Sequence, residues 1–552
     1  MSKRGLLWLA VGALLLGGPV NLVFADPPVA DKVIDKPTNV KPVPRAMPDL
    51  IPYWNFDPPK SPLFDLKNFT VNGDMRVRPE IRTNANFGVL QGATPGRFSG
   101  ANDWYVQQWM RMGLNYALSP DVDFFAQPQW AKNWGAANNT NGSGAGCQAG
   151  GSICANDPFN NGQADSLFLR QAFIMIRNIG IQGLSLKAGR QLVVMGDHRL
   201  FGHFDWANTG YSHDGVTLQY QQPTWEFWGG WLIPMDQDFN GFGAQSTSFG
   251  VMPQGCQPPG STVGFSCAAK AGAQSDLFFA RLAFKPLPGL AIEPLWVWQR
   301  NGATQVGSVT NPVAAPNGVL AAHANGQSRQ TVGARVAFRK SIVDVSGEGY
   351  WQFGQMDIGQ SGQRASINAY AFAAEGGVTL PIPWSPRVGI EFNMASGDGD
   401  ALNCTASNPA GCNGTANTFE NLYPTNHIVM GYADVMAWRN MVAYSASLQF
   451  IPFNNAANHF EFRYWNFRRQ TSGDCWYRAA QNCYFAPANS NTANHLTDEI
   501  DFIYTLFFKN NKVAWQMGAS YLFAGSFLDN QAGPGNSAVN QTWAYTQLHI
   551  NF

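Results

Sequence analysis

Charge is scarce in this chain. Only 13% of its 552 residues are Asp, Glu, Lys or Arg, about half the usual quarter of soluble domains. Long apolar runs are scarce too. Beyond residue 25 no uncharged apolar run of about 18 residues exists, which argues against a helical membrane protein. The formal net charge is zero, so there is no basic signature for nucleic-acid binding. The eight cysteines form no C-x-x-C and no C-x-x-C-H, which argues against thiolate-metal and haem motifs. What is abundant is aromatic and small: 19 Trp, 38 Phe and 57 Gly. Low charge with this many aromatics does not fit a disordered chain. Mean hydropathy is −0.19, so the hydrophobicity is spread out instead of concentrated. Length alone would suggest three or four soluble domains; this composition suggests one large β structure, and a transmembrane β-barrel has it.

Both ends of the chain are informative. Lys3 and Arg4 precede an apolar stretch from Leu6 to Leu16, and Val23-Phe24-Ala25 offers small residues to a signal peptidase. Residues 1–25 therefore read as a secretory signal cleaved after Ala25. An anchoring helix is the alternative, and Gly17-Gly18-Pro19 interrupts it. Cleavage leaves a formal charge of −2. Residues 26–68 hold ten prolines, and proline cannot donate to a strand ladder. They read as an extended periplasmic arm, hanging free or folding into a pore. At the other end Leu548, Ile550 and Phe552 alternate with polar residues. A terminal aromatic on an alternating strand resembles the insertion signal that barrel-assembly machinery reads in bacterial outer-membrane barrels.

Residues 69–552 follow a period of two. Met75, Val77, Pro79 and Ile81 oppose Arg76, Arg78, Glu80 and Arg82, and successive side chains of a strand point to opposite faces. The same pattern sets Val336 and Phe338 against Arg335 and Arg339, Val388 and Ile390 against Glu391, and Phe462 and Tyr464 against Glu461 and Arg463. Segments of this kind predict strands at 70–84, 104–118, 121–132, 166–178, 183–193, 213–221, 224–233, 276–286, 289–300, 330–340, 342–354, 367–380, 386–396, 438–451, 458–469, 497–508, 512–523 and 542–552. Eighteen strands, with one or two open to miscount, predict an all-β, antiparallel transmembrane barrel of 16–18 strands. The links are expected to alternate strictly, with short periplasmic turns on one side and long extracellular loops on the other. An outer-membrane location follows, with lipid against the apolar face.

The cysteines fall in long links as four local pairs: Cys147 with Cys154, Cys256 with Cys267, Cys404 with Cys412 and Cys475 with Cys483. Four loop disulfides suit an exported protein. Barrels of this size leave an aqueous channel. Its expected lining includes Arg76, Arg78, Glu80, Arg82, Arg111, Lys187, Arg281, Arg335, Arg339, Glu348, Glu391 and Arg463, with Glu461 and Asp501. A basic stripe would select anions; alternatively the charges pair and merely fill a polar interior. The link 189–215 gathers His198, His203 and His213 with Asp197, Arg199, Asp205, Trp206 and Asp214. No metal motif fits these spacings, so a constriction loop folded inward by hydrogen bonds and ion pairs is expected.

Four runs carry a resemblance. They are Gly189-Arg190-Gln191 with Gly196-Asp197-His198-Arg199-Leu200, Asp205-Trp206-Ala207-Asn208 and His213-Asp214-Gly215-Val216; then Leu422 to Asp434; then Asn494 to Asp501; then Gly518 to Phe527. Together they resemble the alginate export family of outer-membrane porins. The resemblance implies an eighteen-stranded monomeric barrel whose Arg-lined lumen passes an anionic polysaccharide. This chain departs from the family in its Pro-rich arm, its paired loop cysteines and its uniformly short periplasmic turns, which leave no long plug loop. The expected function is passive passage of anionic saccharides or other small anionic or polar solutes. An alternative is a sheath or scaffold whose lumen or loops bind a partner protein. A third reading, a lipid-modifying enzyme, needs a Ser-His-acid set, and none is evident. No catalytic group, cofactor or metal is expected.

Overall fold

The structure is a computed structural model that describes residues 64–66, 68–89, 96, 102–134, 165–208, 210–235, 275–301, 327–358, 363–399, 414–479, 481, 483–485, 491–508 and 512–552. The expected arm at 26–68 and three of the four cysteine pairs (147/154, 256/267 and 404/412) lie almost wholly or wholly outside the described residues.

Eighteen barrel strands run in chain order: β1 (Phe69–Thr83), β2 (Asp103–Ser119), β3 (Val122–Trp134), β4 (Asp165–Ile176), β5 (Leu184–Gln191), β6 (His213–Gln221), β7 (Trp225–Met235), β8 (Ser275–Leu287), β9 (Leu290–Asn301), β10 (Gln327–Lys340), β11 (Val343–Ile358), β12 (Gln363–Thr379), β13 (Arg387–Ala395), β14 (Met441–Phe450), β15 (Asn458–Arg468), β16 (His495–Phe508), β17 (Val513–Ala524) and β18 (Gln541–Asn551). Each pairs antiparallel with the next. The last then pairs with the first, from Asp74↔Asn551 to Thr83↔Thr542. Closure leaves no sheet edge, which a lipid interior would not tolerate. At the seam Phe552 and Gly73 exchange two backbone hydrogen bonds of 2.9 Å. The Phe552 ring occupies the space of the missing Gly73 side chain, with Cε2 2.5 Å from where a Cβ would stand.

The period-two reading holds around the barrel. Ile81, Leu167, Val388, Ile390 and Phe462 are exposed on the outer face, while Arg76, Arg78, Arg335, Glu391 and Arg463 are buried inside. Aromatic and β-branched residues suit a pleated surface with one apolar face. No helix among the described residues is long and apolar enough to cross a membrane; the crossing elements are strands.

The links correct one expectation. Short and long do not alternate strictly, because β11 and β12 are joined on the long-loop side by residues 359–362 alone. These strands have 16 and 17 residues and stay paired to Ile358↔Gln363. Two other long links turn inward. Residues 192–208 and 418–440 are buried almost throughout, and Phe201, Trp206, Tyr423, Met430 and Trp438 form one apolar cluster with the wall. A short helix, α1 (Ser526–Ala532), caps one end, with Phe527 and Leu528 buried. The Cys475–Cys483 disulfide is present. Cys483 opens a small ribbon in which Trp476 pairs with Phe485.

Candidate functional site

The inner face of β1 to β4 is a basic and aromatic wall. Arg76, Arg78, Arg82, Arg111 and Arg170 are buried there, facing Asp74, Glu80 and Asp205. On β1 the four charges follow directly from alternation. Arg170 does not. Gln127 pairs with Gln171 and Pro128 with Leu169, so Arg170 is the extra residue of a β-bulge. A bulge shifts the period by one, and both Arg170 and Gln171 consequently turn inward, at 0% and 1% exposure.

Aromatic rings space the guanidinium groups. Arg76 lies 3.5 Å and Arg111 3.7 Å from the centroid of Trp109, which holds the ring between them. Arg78 lies 3.4 Å from Trp206, whose ring stacks on His427 at 3.7 Å. Desolvated cation–π contacts of this kind contribute about 2 kcal/mol each. Arg78 Nε also donates to Glu80 at 2.6 Å, while Tyr105 and Trp543 donate to Glu80 Oε2.

The inward loop lies on this wall. Arg76 donates to the carbonyls of Asp205 and Trp206 at 2.6 and 2.9 Å, and Arg78 to that of Trp206 at 2.8 Å. Arg111 grips both Asp205 oxygens, at 2.9 and 3.0 Å, and Arg170 adds a bond of 2.7 Å. Burial alone would raise the Asp205 carboxyl, but Arg111 and Arg170 outweigh it and hold it well below its ordinary value. Burial holds His203 neutral in spite of Asp205, and its Nδ1 accepts the Asp205 N–H at 2.9 Å. His427 is likewise pushed far below its usual value, by burial and then by Arg78, Arg76 and Arg82. Its Nδ1 pairs with Asp434 at 2.7 Å. Gly210, at φ 63, lets the loop pass Arg170: a Cβ there would stand 2.5 Å from Nη2.

On the opposite wall each of four arginines meets two acids. Arg281 contacts Glu226 and Glu293; Arg335 contacts Glu293 and Asp197; Arg199 contacts Glu348 and Glu391; Arg463 contacts Glu391 and Glu461. This belt of alternating charge follows the strands from β7 to β15, and two of its members, Asp197 and Arg199, come from the inward loop. The pairing alternative raised by the sequence therefore describes this half of the barrel, and the basic stripe describes the other.

Of the remaining residues singled out from sequence, Lys187 is half-buried 4.6 Å from the Phe173 ring. Arg339 is half-buried near a short turn. Asp501 is buried beside Ser520. Asp214 pairs with Arg190 on the barrel wall at 2.7 Å, so it belongs to β6 and not to the constriction. His198 and His203 meet edge-to-face at 5.0 Å. Among the described residues no cluster of His, Cys, Asp or Glu could hold a metal. Sequence reasoning missed Arg170, hidden by the bulge, and the second insert at 418–440. Its signal was the stretch from Leu422 to Trp438, rich in apolar and aromatic residues but without the period of two that marks a strand.

No curated protein matches the chain. Solved structures that it is similar to include Pseudomonas aeruginosa OccK5 (OpdH), at TM-score 0.47 and 10% identity, covering 87% of this chain and 98% of that one. Acinetobacter baumannii OccAB3 gives 0.48 and 8%, covering 87% and 99%. Pseudomonas aeruginosa OpdK, solved with vanillate, gives 0.47 and 8% with the same coverage. A family model for alginate export matches residues 68–254 and 296–542. That is well over half of the chain, and this closed outer-membrane β-barrel belongs to the alginate export family.

Proposed function

We propose that the barrel is a passive outer-membrane channel for small anionic solutes, carboxylates and acidic saccharides among them. The observation that carries this reading is the asymmetry of the interior. Arg76, Arg78, Arg82, Arg111 and Arg170 outnumber Asp74, Glu80 and Asp205 on one wall, while Arg281, Arg335, Arg199 and Arg463 on the other are matched by acids. Fixed cationic rows lower the cost of an anion leaving bulk water. The inserts at 192–208 and 418–440 narrow the cross-section, which favours small solutes over a polymer or a threaded partner protein. In this reading residues 1–25 direct export, 26–68 remain periplasmic, lipid surrounds a monomer, and Phe552 is read by the barrel-assembly machinery.

The test is a reversal-potential measurement in a planar bilayer under a salt gradient. The triple variant R76Q/R78Q/R82Q should lose most of the anion preference of the parent protein. Unchanged selectivity would refute the role given to this wall.

A further inference from the structure

The Asp205 carboxylate is held as an anionic ligand would be. Arg111 meets it with two parallel bonds, at 2.9 and 3.0 Å, and Arg170 with a third at 2.7 Å. A guanidinium offers this fork to any carboxylate. The two sides of the contact differ in how they are anchored. Arg111 is fixed by the wall itself: its Nε donates to Gln129 at 2.7 Å and its guanidinium rests on Trp109. Arg170 is rooted in the bulge of β4. The carboxylate instead arrives on the link 192–212, which carries no barrel strand and is held by hydrogen bonds to the second insert and, through Asn208, to the carbonyls of Gln108 and Lys132. The receptor belongs to the barrel and the ligand to a loop.

Exchange between like groups is nearly balanced. An incoming carboxylate would take over the charge-assisted bonds of Arg111 and Arg170, and Asp205 would regain water. What opposes the exchange is the packed and hydrogen-bonded loop, which holds Asp205 at an effective concentration above the mM order of a short flexible connection. Solutes would then compete in the mM range or higher.

We propose that Arg111 and Arg170 form a carboxylate-binding subsite that Asp205 occupies as an internal ligand, and that carboxylate solutes loosen the inward loop by displacing it. This deepens the channel reading above and rests on it. It assigns the subsite a ligand class, a single carboxylate group on a small solute, and gives Asp205 a competing role in place of a purely structural one.

The experiment uses the full-length protein in planar bilayers at fixed KCl, with glucuronate titrated in and glucose as the uncharged control. Single-channel conductance of the parent protein should rise severalfold with a midpoint in the mM range or higher, and glucose should leave it unchanged. D205N and D205A should start at the higher conductance and lose the response. The idea is overturned if parental conductance is flat or falls with glucuronate, if glucose acts equally, or if D205A behaves as the parent. Should the Asp205 variants fail to fold, as judged by heat-modifiable gel mobility, the parental titration decides alone. Reversal potentials from the same traces separate the two claims. Anion preference without a glucuronate response sinks only the subsite; a glucuronate response without anion preference sinks only the selectivity assigned to the wall.

Discussion

Removing Glu391 tests how the inward loop is held. Its side chain is 3% exposed and joins Arg199 of the loop to Arg463 of β15, with Asn393 donating at 3.1 Å. Breaking a buried pair by deleting one partner costs about 3–5 kcal/mol, because the surviving charge loses its compensation. Here each arginine keeps a second acid: Glu348 lies 3.4 Å from Arg199 and Glu461 lies 2.7 Å from Arg463. The lower end, about 3 kcal/mol, is therefore the working figure, which is roughly 100-fold in an equilibrium constant. The cost should fall on the loop. Arg463 sits in a strand paired on both sides, whereas Arg199 sits in the link. Hydrogen–deuterium exchange of E391A should show amides of 193–206 losing roughly 100-fold in protection, with β13 to β15 unchanged. The double variant R199M/E391L should recover much of it, since apolar replacement of a whole buried pair is often neutral. Unaltered exchange in the loop, or an equal loss in the strands, would refute the view that this pair fastens the loop.

Two further outcomes follow from the same geometry. Asp205 has its carboxyl depressed in the folded state, so the stability it lends is present above the ordinary carboxylate value and is lost as pH falls through the depressed one. Docking of the loop, read by exchange at 203–208, should be flat from neutral pH down to about 4 and weaken only below; weakening between pH 7 and 5 would contradict it. The Cys475–Cys483 bridge closes a loop of separation 8, worth roughly 2–3 kcal/mol by chain entropy. C475S/C483S should lower protection in 470–485 while heat-modifiable mobility of the barrel stays the same, and a lost barrel band would count against a purely local role.

The barrel was legible because its physics is periodic. One face meets lipid and the other meets polar groups, so every strand writes its orientation at every second residue, as Arg76 to Arg82 do. Strand ends followed less closely: β6 spans 213–221 as alternation has it, whereas β11 runs to Ile358, past its expected end at 354. What alternation cannot express was missed. A bulge inserts one residue and inverts the code beyond it, which hid Arg170 between Leu169 and Gln171. A four-residue link at 359–362 looked like its longer neighbours because nothing in β11 or β12 marks how far a ribbon stays paired. The inserts are irregular backbone, and their burial depends on partners hundreds of positions away, such as Arg82 donating to the carbonyl of Ala433 at 3.1 Å.

The division of the interior has a physical rationale that links these points. A loop lodged in a barrel must hide its backbone polar groups and its charges without water, and unpaired ones are costly there. The belt of alternating charge solves the problem for Asp197 and Arg199 by giving each an opposite charge on the wall. The basic wall solves it for the carbonyls of His203, Asp205, Trp206 and Tyr211 by supplying guanidinium donors from Arg76, Arg78 and Arg170. These two solutions differ in what they leave behind when the loop moves. Lifting the loop from the belt removes one acid and one base, Asp197 and Arg199, so the excess of acids over arginines there is unchanged. Lifting it from the other wall releases Arg76, Arg78, Arg111 and Arg170 from the loop, with Asp74 and Glu80 beside them once Asp205 has left. On the proposed reading, the displacement that widens the passage also makes it more attractive to anions, so opening and selectivity go together.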